Sequence, residues 1–529
     1  MISASVQMKK KKKLFLIFHG RFPSNKAASL FAAKSAEAFA GEGLTVEMIV
    51  SRRLGREKGD PYDYYNVKNV FRLVYLPVLD IPSKSRMTSI RFALSSFSFS
   101  LFCYLYLLKH AKREDIIYSN EPPPLFFASL SFPRTFYEMH DFPESGLGLF
   151  GVFIRRMESV LIHNTWKADE ARRIFSLHEK RILREPNAVQ IEDFDIATTR
   201  EEAREKLSLP QDKKIAVYTG HLYSWKGVDT LALAARELPG EYLVIFIGGT
   251  PEDIKKLRDA NNTAGNTLFV GWKSHSEIPL WQKAADVLIL PNTAKEDISK
   301  YYTSPMKLFE YMVSRVPIVA SRIPSIEEIV TDEDVFFAEA DNATSFAETI
   351  QKAVESTLDA QNRAAHAYTK ILQFTWSKRA KRILSFMNHS GIKSSGVHKA
   401  RIFFLARYLF SGGLSFTTNM LLLFVLKEYF NMWYLTASTI AFVISVVVSF
   451  LAQKFITFRD KSKDRISKQL PLYMVVALFN VIMNGVMMFT FVSMLYVPYL
   501  LAQVFSAGLI AVWSLLVYRY IIFSNVKIS

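Results

Sequence analysis

The chain has 529 residues, half of them hydrophobic, with a net charge of +17 and a single cysteine. This length predicts several domains, and one cysteine excludes an intrachain disulfide and a cysteine metal cluster. Residues 391–529 hold thirteen Lys or Arg and three Asp or Glu. An excess of positive charge beside the most apolar part of the chain favours a membrane surface over nucleic acid as its partner.

The N-terminal part opens with five lysines, residues 9–13, and then a short apolar run, residues 14–18. This run is too short for a signal peptide and predicts a buried strand that ends in a loop at Gly20. The lysines are interpreted as a solvated or lipid-facing tail. A helix over 27–42 and a second strand over 44–50 follow, and this order is typical of a doubly wound parallel sheet.

A long apolar stretch, residues 92–108, contains four serines. At about seventeen residues it is short for a membrane span. We interpret it as a helix of the N-terminal domain, and contact with the membrane interface stays open. Strands are predicted at 115–118 and 134–138, and His140 follows the second of them. A neutral imidazole there could hydrogen-bond a ligand, whereas a capping role is the alternative.

A second set of buried strands is predicted at 215–220, 242–249, 268–272 and 285–291. The alternation of strands and helices implies a second parallel sheet, with ligand at the carboxyl ends of its strands. Lys226 follows the first of these strands in the sequence HLYSWKG.

The segment 302–330 reads YTSPMKLFEYMVSRVPIVASRIPSIEEIV. A loop leads into a helix near residue 306, and a buried strand is predicted at 317–321. Free N–H groups and the helix dipole make such a corner an anion site. Glu310 cannot bind a phosphate, but it can accept hydrogen bonds from sugar or ribose hydroxyls. The pattern therefore indicates a nucleotide-sugar.

The motif SPMKLFEYM…PIVAS resembles the donor-site signature of family 4 glycosyltransferases, which are retaining enzymes of the GT-B fold. The resemblance implies an α/β chain with two Rossmann-like domains facing across a cleft, a nucleotide-sugar donor, no metal and no cofactor. The catalytic residues that it implies are Lys226, His140 and Glu310. The donor-binding residues that it implies are Gly20, Gly220, His221, Lys226, Trp272, Ser304, Pro305, Lys307, Leu308 and Glu310.

The chain departs from this family at two positions. Tyr302 stands where the first of two signature glutamates is expected, and the nearest acidic candidates are Glu296 and Asp297. His221 stands where an arginine is common, which leaves Lys226 as the best candidate to meet the charge that develops on the β-phosphate.

Two Asp-x-Asp patterns, at 193–195 and 332–334, raise the question of a metal site. Neither follows a strand in the manner of a metal-dependent GT-A enzyme. We interpret both as solvated loop charges, and no metal ligands are predicted.

The predicted organisation has five parts. They are an acceptor-side Rossmann-like domain (1–190), a nucleotide-sugar domain (191–370), a closing helix that returns to the first domain (371–388), a linker (389–400) and a membrane domain (401–529). Long uncharged segments in the last part predict four membrane helices, at about 403–426, 433–455, 471–495 and 498–521.

Basic clusters flank these helices at 399–407, 454–468 and 519–527. All three lie on one side of a four-helix arrangement, and the positive-inside rule makes that side cytoplasmic. The sequences ARYLFSGGLSF, SFLAQKFITF and VWSLLVYRYIIF resemble the GtrA-like family, which is associated with polyprenyl-phosphate-linked sugars. A plain anchor is the alternative. Asn480 and Asn484, one turn apart, are expected to face protein or a polar ligand.

Two functions remain open from the sequence. The first is a membrane-bound, metal-independent retaining transferase that moves a sugar from a nucleotide-sugar to a lipid-linked acceptor at the anionic inner leaflet of the cell membrane. The second is a lipid-linked sugar translocase whose globular part binds sugar without turnover. A nucleic-acid partner is not expected.

Overall fold

The computed structural model describes residues 12–24, 26–55, 57, 59–80, 88–143, 146–261, 263, 265–389, 397–460, 462, 465–494 and 499–523. Three predictions lie outside these residues: the first lysines of the N-terminal run, most of the linker, and the turn at Tyr496–Pro498. The basic residues Lys461, Lys463 and Lys527 lie outside them as well. Met1–Val78 with Ser96–Ile392 forms one compact unit, and Leu79–Ser95 with Lys393–Ser529 a second.

Thirteen strands form two sheets in the first unit. They are β1 (Lys13–Phe18), β2 (Thr45–Ser51), β3 (Arg72–Leu76), β4 (Ile116–Ser119), β5 (Thr135–Met139), β6 (Ser159–Ile162), β7 (Ile182–Arg184), β8 (Lys214–Thr219), β9 (Tyr242–Ile247), β10 (Thr267–Gly271), β11 (Val287–Leu290), β12 (Ile318–Ser321) and β13 (Phe336–Ala338). The first sheet has the order β3-β2-β1-β4-β5-β6-β7, and the second has the order β10-β9-β8-β11-β12-β13.

Helices connect these strands and continue into the second unit. They are α1 (Ala27–Gly41), α2 (Pro61–Tyr64), α3 (Thr88–His110), α4 (Pro122–Ala128), α5 (Leu147–Ile154), α6 (Thr165–Phe175), α7 (Ile191–Phe194), α8 (Arg200–Lys206), α9 (Val228–Glu237), α10 (Pro251–Asn261), α11 (Ile278–Lys283), α12 (Met306–Ser314), α13 (Pro324–Glu327), α14 (Ala343–Glu355), α15 (Thr357–Ile371), α16 (Trp376–His389), α17 (Val397–Glu428), α18 (Tyr434–Ala452), α19 (Ile466–Phe489) and α20 (Tyr499–Val517).

Every strand pair in both sheets is parallel. The central strands are apolar on both faces because helices cover both sides of the sheet. This is why continuous runs such as LFLIF and YLVIFI predicted strands from sequence. The two Rossmann-like domains of the GT-B fold are confirmed by this arrangement.

Helix α16 follows the second sheet but packs on the first domain. Its residues Ala380, Ile383 and Met387 are buried in a cluster with Leu14 and Phe39 of the first domain. Arg382 of the same helix pairs with Glu185 at 2.6 Å. The predicted closing helix therefore returns to the N-terminal domain.

The second unit contains the four helices α17 to α20. Two segments, Ile440–Thr457 and Ile466–Met487, are long and apolar enough to cross a membrane, and Phe410–Leu426 is a shorter apolar helix. Lys454, near the end of the first of these segments, is fully buried and pairs with Asp460 at 2.7 Å, while Gln469 accepts a second hydrogen bond from the same ammonium group. This ion pair lowers the pKa of Asp460, against the opposing effect of burial.

Candidate active site

The two sheets meet where their strands end. Asn164, after β6, donates from Nδ2 to the carbonyl of Tyr301 at 2.8 Å. Asn187, after β7, donates to the carbonyl of Ser304 at 2.5 Å. Both acceptors lie between β11 and α12, in the 301–304 loop. The carboxyl ends of strands from both domains therefore border one cleft, which is where ligands bind in doubly wound folds.

Two lysines meet at the end of β8. Gly220 has a φ of +121°, and a Cβ there would lie 2.3 Å from Cε of Lys307. The side chain of Lys307 therefore covers this glycine, and its Nζ donates to the Tyr218 hydroxyl at 2.7 Å. Lys226 lies with its Nζ 3.7 Å from the centre of the Trp225 ring. Only a glycine at position 220 leaves room for the side chain of Lys307.

Both of these lysines have lowered pKa values. Burial lowers the pKa of Lys226 to about 8. Burial, and then the charge of Lys226, hold the pKa of Lys307 well below its usual range. Within the described part of the chain, neither lysine has a salt bridge to a carboxylate. The charge of Glu310 opposes this lowering at Lys307. Two desolvated lysines without a salt bridge are suited to a phosphate or diphosphate, whose charge favours their ammonium forms.

Helix α12 begins beside these lysines. Pro305 is its N-cap and offers no side-chain cap, and Ser304 precedes it. The first N–H groups of the helix therefore add to the positive potential of the corner. Leu308, predicted to bind donor, has its side chain fully buried in the core, and its N–H already donates to the carbonyl of Pro305 at 3.0 Å.

Glu310 has a partner that sequence reasoning missed. The Nε2 of His275 lies 3.3 Å from Oε1 of Glu310, and the glutamate side chain is 12% exposed. Burial opposes the charge on His275, but the bond to Glu310 and the charge of Asp193 outweigh it, so the pKa of His275 is raised. Trp272, on the same connection after β10, is 61% exposed.

His140 lies over a buried carboxylate. Glu138, 1% exposed, accepts hydrogen bonds from Arg379, Tyr118 and His163. Burial lowers the pKa of His163 to about 3, so this ring is neutral and its Nε2–H donates to Oε1 of Glu138. The Nε2 of His140 is 3.6 Å from the same oxygen. Glu138 therefore orients the imidazole of His163, lies close to that of His140 and is a residue that sequence reasoning missed.

The ligand atoms of Glu138, His140 and His163 all lie within 4.8 Å of one another, a spacing that could hold a metal ion. The guanidinium of Arg379 contacts the same carboxylate oxygen. A fixed positive charge at that point repels a cation, so these side chains fit an ion pair better than a metal.

Gly20 and His221 are the remaining predicted residues, and each lies against an aromatic ring. A Cβ on Gly20 would lie 2.4 Å from the ring of Phe18, so a larger residue would displace that ring. The ring of His221 is stacked on Tyr223. Burial and the charges of Lys307 and Lys226 lower the pKa of His221, so the histidine is a neutral neighbour of the two cations.

Tyr302, at the position of the missing glutamate, faces the first domain. It ends a π-helical turn over Ile298–Tyr302, and its ring stacks on Phe142 with centroids 5.8 Å apart. The alternatives named for the missing carboxylate, Glu296 and Asp297, are exposed. Tyr302 thus belongs to the contact between the domains.

The two Asp-x-Asp patterns are not simply solvated. Asp193 pairs with Lys34 at 3.1 Å, and Asp195 pairs with Arg315. Asp334 is 1% exposed and bonds Lys370 at 2.7 Å. Their acidic groups are therefore used in structural salt bridges, because each faces a basic residue brought from a distant part of the chain.

Comparison with known proteins gives two family matches. Residues 199–370 match the model described as glycosyl transferases group 1, and residues 407–523 match the GtrA/DPMS transmembrane domain. The chain is 27% identical over 186 residues to the alpha-D-kanosaminyltransferase of Streptomyces kanamyceticus, covering 34% of this chain and 46% of that protein. It is 23% identical over 248 residues to TuaC of Bacillus subtilis, a putative teichuronic acid biosynthesis glycosyltransferase, covering 46% and 60%.

These alignments span less than two thirds of either relative. Among solved structures, HepE of Anabaena in complex with UDP aligns over 72% of this chain and all of its own, with a TM-score of 0.55 and 15% identity. A sucrose-phosphate synthase from Thermosynechococcus elongatus aligns over 72% and 99%, with a TM-score of 0.57 and 16% identity. At this identity the likeness shows the fold.

The two Rossmann-like domains, and the site formed by Lys226, Lys307 and the start of α12 between them, are those of the GT-B class. The chain's second Rossmann-like domain, residues 199–370, matches the group 1 glycosyl transferases, and residues 407–523 match the GtrA/DPMS transmembrane domain.

Proposed function

We propose that the protein is a membrane-bound retaining glycosyltransferase that moves a sugar from a nucleotide-sugar to a lipid-linked acceptor. The observation that carries the proposal is the pair Lys226 and Lys307, two buried lysines near the end of β8 that form no salt bridge within the described residues. The HepE structures with UDP and with UDP-glucose share this fold and support a nucleotide-sugar as the donor.

Separate residues bind the diphosphate and the ribose of the donor. Lys226, Lys307 and the first N–H groups of α12 hold the diphosphate, and Glu310 accepts hydrogen bonds from ribose hydroxyls. The bond between the sugar's anomeric carbon and the β-phosphate oxygen breaks, and charge that builds on that oxygen is met by the two ammonium groups. The acceptor hydroxyl attacks from the same face, which retains the configuration, and its proton passes to the departing phosphate.

His140 is the proposed contact to the transferred sugar. Its carbonyl accepts from Lys167 at 2.7 Å, and its ring is packed edge-on against Phe31. An imidazole held in this way can bond a hydroxyl of the sugar without reorganising in the transition state. No metal is required in this scheme, because lysines supply the charge that a metal would supply.

The transmembrane domain is proposed to hold the lipid-linked acceptor or its product. Asn480 donates from Nδ2 to the Ser514 hydroxyl at 2.8 Å, so the amide joins α19 to α20. We propose that the four helices cross the cell membrane and that the globular part is cytoplasmic, as the flanking basic residues favour.

The test uses the full chain in lipid nanodiscs with a panel of radiolabelled nucleotide-sugars and polyprenyl-linked acceptors. We expect sugar transfer with retention of the anomeric configuration, at a rate that EDTA does not change. Inversion of the anomer, or a loss of activity that Mg²⁺ or Mn²⁺ restores, would contradict the mechanism.

One observation favours the second candidate, a translocase with a non-catalytic globular part. Tyr302 replaces a signature glutamate and stacks on Phe142 instead of offering a carboxylate. Tight binding of a nucleotide-sugar without transfer or hydrolysis, together with movement of a lipid-linked sugar across the bilayer, would favour this reading.

A further inference from the structure

Helix α3 (Thr88–His110) is apolar on two opposite sides. One side packs into the first domain, where Phe99, Cys103 and Leu107 are fully buried in a cluster with strands β1 and β4. These residues recur every fourth position and form one stripe of the helix. The buried stripe accounts for one side of the helix only.

The opposite side is also built from large apolar residues. At about 100° per residue, four side chains lie roughly opposite the buried stripe, and we call them the outer face of α3: Phe97, Leu101, Leu105 and Leu108. Leu105 is 52% exposed and Leu108 is 48% exposed, and Phe102 at the edge is 38% exposed. A helix that shows apolar residues to the outside as well as to its core has a second apolar partner.

Aromatic side chains of α4 extend the outer face. Phe127 lies edge-on to Phe97 with ring centroids 5.7 Å apart, and Phe126 next to it is covered by the guanidinium of Arg156 at 5.4 Å. Both phenylalanines are partly buried. Two helices therefore contribute apolar side chains to this side of the domain, and the Phe97–Phe127 contact joins them.

A basic rim adjoins the end of this helix. Lys109, Lys112 and Arg113 are exposed, and Glu114 is the acidic residue among them. The combination of an exposed apolar face with lysine and arginine at its edge is typical of segments that lie in the interface of an anionic bilayer.

We propose that the outer face of α3 is a lipid-contact surface that enters the headgroup region of an anionic leaflet, with Lys109, Lys112 and Arg113 on lipid phosphates. A bilayer is the occupant that the rest of the chain favours, since residues 407–523 match a transmembrane domain. A second copy of the chain fits less well, because a symmetric contact would bring two like-charged rims together. This inference does not depend on the proposed transfer reaction.

The test places an environment-sensitive fluorophore on single cysteines in full-length protein, in a Cys103→Ser background. The variants Leu105→Cys and Leu108→Cys report on the outer face. Leu358→Cys is the matched control, because Leu358 is an exposed leucine (73%) on α15 of the other Rossmann-like domain. The protein is reconstituted in phosphatidylcholine vesicles with and without phosphatidylglycerol, and with or without lipids that carry a quencher on the acyl chain.

Probes at 105 and 108 are expected to show blue-shifted emission and at least threefold stronger quenching than the probe at 358. The combined change of Lys109, Lys112 and Arg113 to Gln should remove most of the dependence on phosphatidylglycerol. Quenching at 105 and 108 equal to that at 358 overturns the proposal. So does an unlabelled Leu105→Cys protein that forms a disulfide-linked dimer in vesicles on oxidation while the labelled protein stays unquenched, which would assign the face to a second copy.

Discussion

The Nε2 of His275 lies 3.3 Å from Oε1 of Glu310, and this contact joins the connection after β10 to helix α12. Phe194 packs edge-on against the imidazole. Asp193 raises the pKa of the ring, and Lys34 opposes it. The histidine therefore holds the carboxylate that we assign to the ribose hydroxyls, and its protonation is coupled to that carboxylate.

Replacing His275 by Phe should raise the Kd of the nucleoside diphosphate about fivefold, because one hydrogen bond contributes about 1 kcal/mol. His275→Gln keeps a donor and should lose less. The raised pKa means that the pair stabilises the fold below the ordinary value of 6.5 and loses that contribution as pH rises through the folded pKa. Titration calorimetry and thermal unfolding at several pH values check both effects. Unchanged affinity in His275→Phe would remove the residue from the site.

Lys226→Ala should lower turnover about a hundredfold, since a preorganised charge at a developing anion is worth roughly 3 kcal/mol. Binding of the nucleotide should fall less. Lys226→Arg retains the charge and should retain more activity than the alanine variant. Single-turnover kinetics with the donor found in the panel measures the effect. Turnover within threefold of the native protein would mean that another group meets the charge.

Donor binding should take up protons. The pKa of Lys226 in the free protein is about 8, so near that pH about half of the side chain is neutral, and a bound diphosphate favours the ammonium form. The value of kcat/KM should therefore fall as pH rises above about 8. Calorimetry at about pH 8 in buffers with different ionisation enthalpies measures the uptake directly. Lys226→Arg, which stays charged, should reduce it. Proton release in place of uptake would contradict the assignment.

Arg379→Met should destabilise the globular unit by about 3–5 kcal/mol, because it leaves the buried carboxylate of Glu138 without its charge partner. The matched control is Arg173→Ala, which breaks an exposed pair with Glu170 and should destabilise the unit much less, because solvent screens that pair. Urea unfolding followed by intrinsic fluorescence compares the two. Because Arg379 and the two histidines outweigh burial and hold the pKa of Glu138 well below 4.5, the pair's contribution is present above that pH and is lost as pH falls. If both variants lower the free energy of unfolding equally, the buried pair stabilises the fold no more than the exposed pair does.

The orientation of the transmembrane domain can be tested with single cysteines in a Cys103→Ser background. Asn431 lies between α17 and α18, and Lys468 lies at the start of α19 beside the basic cluster. An impermeant thiol reagent on intact cells should label Asn431→Cys and spare Lys468→Cys, because lysine and arginine remain on the cytoplasmic side. The reverse pattern would place the globular part outside the cell.

The strands could be predicted because each is a short apolar run between turn residues, and parallel strands buried on both faces have that composition. The predicted run 215–220 corresponds to β8 (Lys214–Thr219), and 242–249 corresponds to β9 (Tyr242–Ile247). The ends differ by one or two residues, because the glycines that follow these strands have positive φ and turn the chain out of the extended conformation.

Long-range partners could not be predicted. Arg379 and Glu138 are 241 residues apart, and nothing in their spacing links them. A signal for Glu138 existed, because a charged residue inside the buried strand TFYEM needs a partner. His275 gave no such signal, since it lies in a polar loop, and the π-helical turn that carries Tyr302 toward Phe142 interrupts a segment that looked like a plain loop.

Helix α16 limits how far this chain can be truncated from its C-terminal side. A truncation that ends before Trp376 would retain both sheets and all the residues predicted to bind donor, and it would look complete on a sequence map. It would nevertheless remove Arg379 and so leave an uncompensated negative charge under His140. Any soluble version of the globular part made for crystallisation or screening should therefore extend through His389, the last residue of this helix.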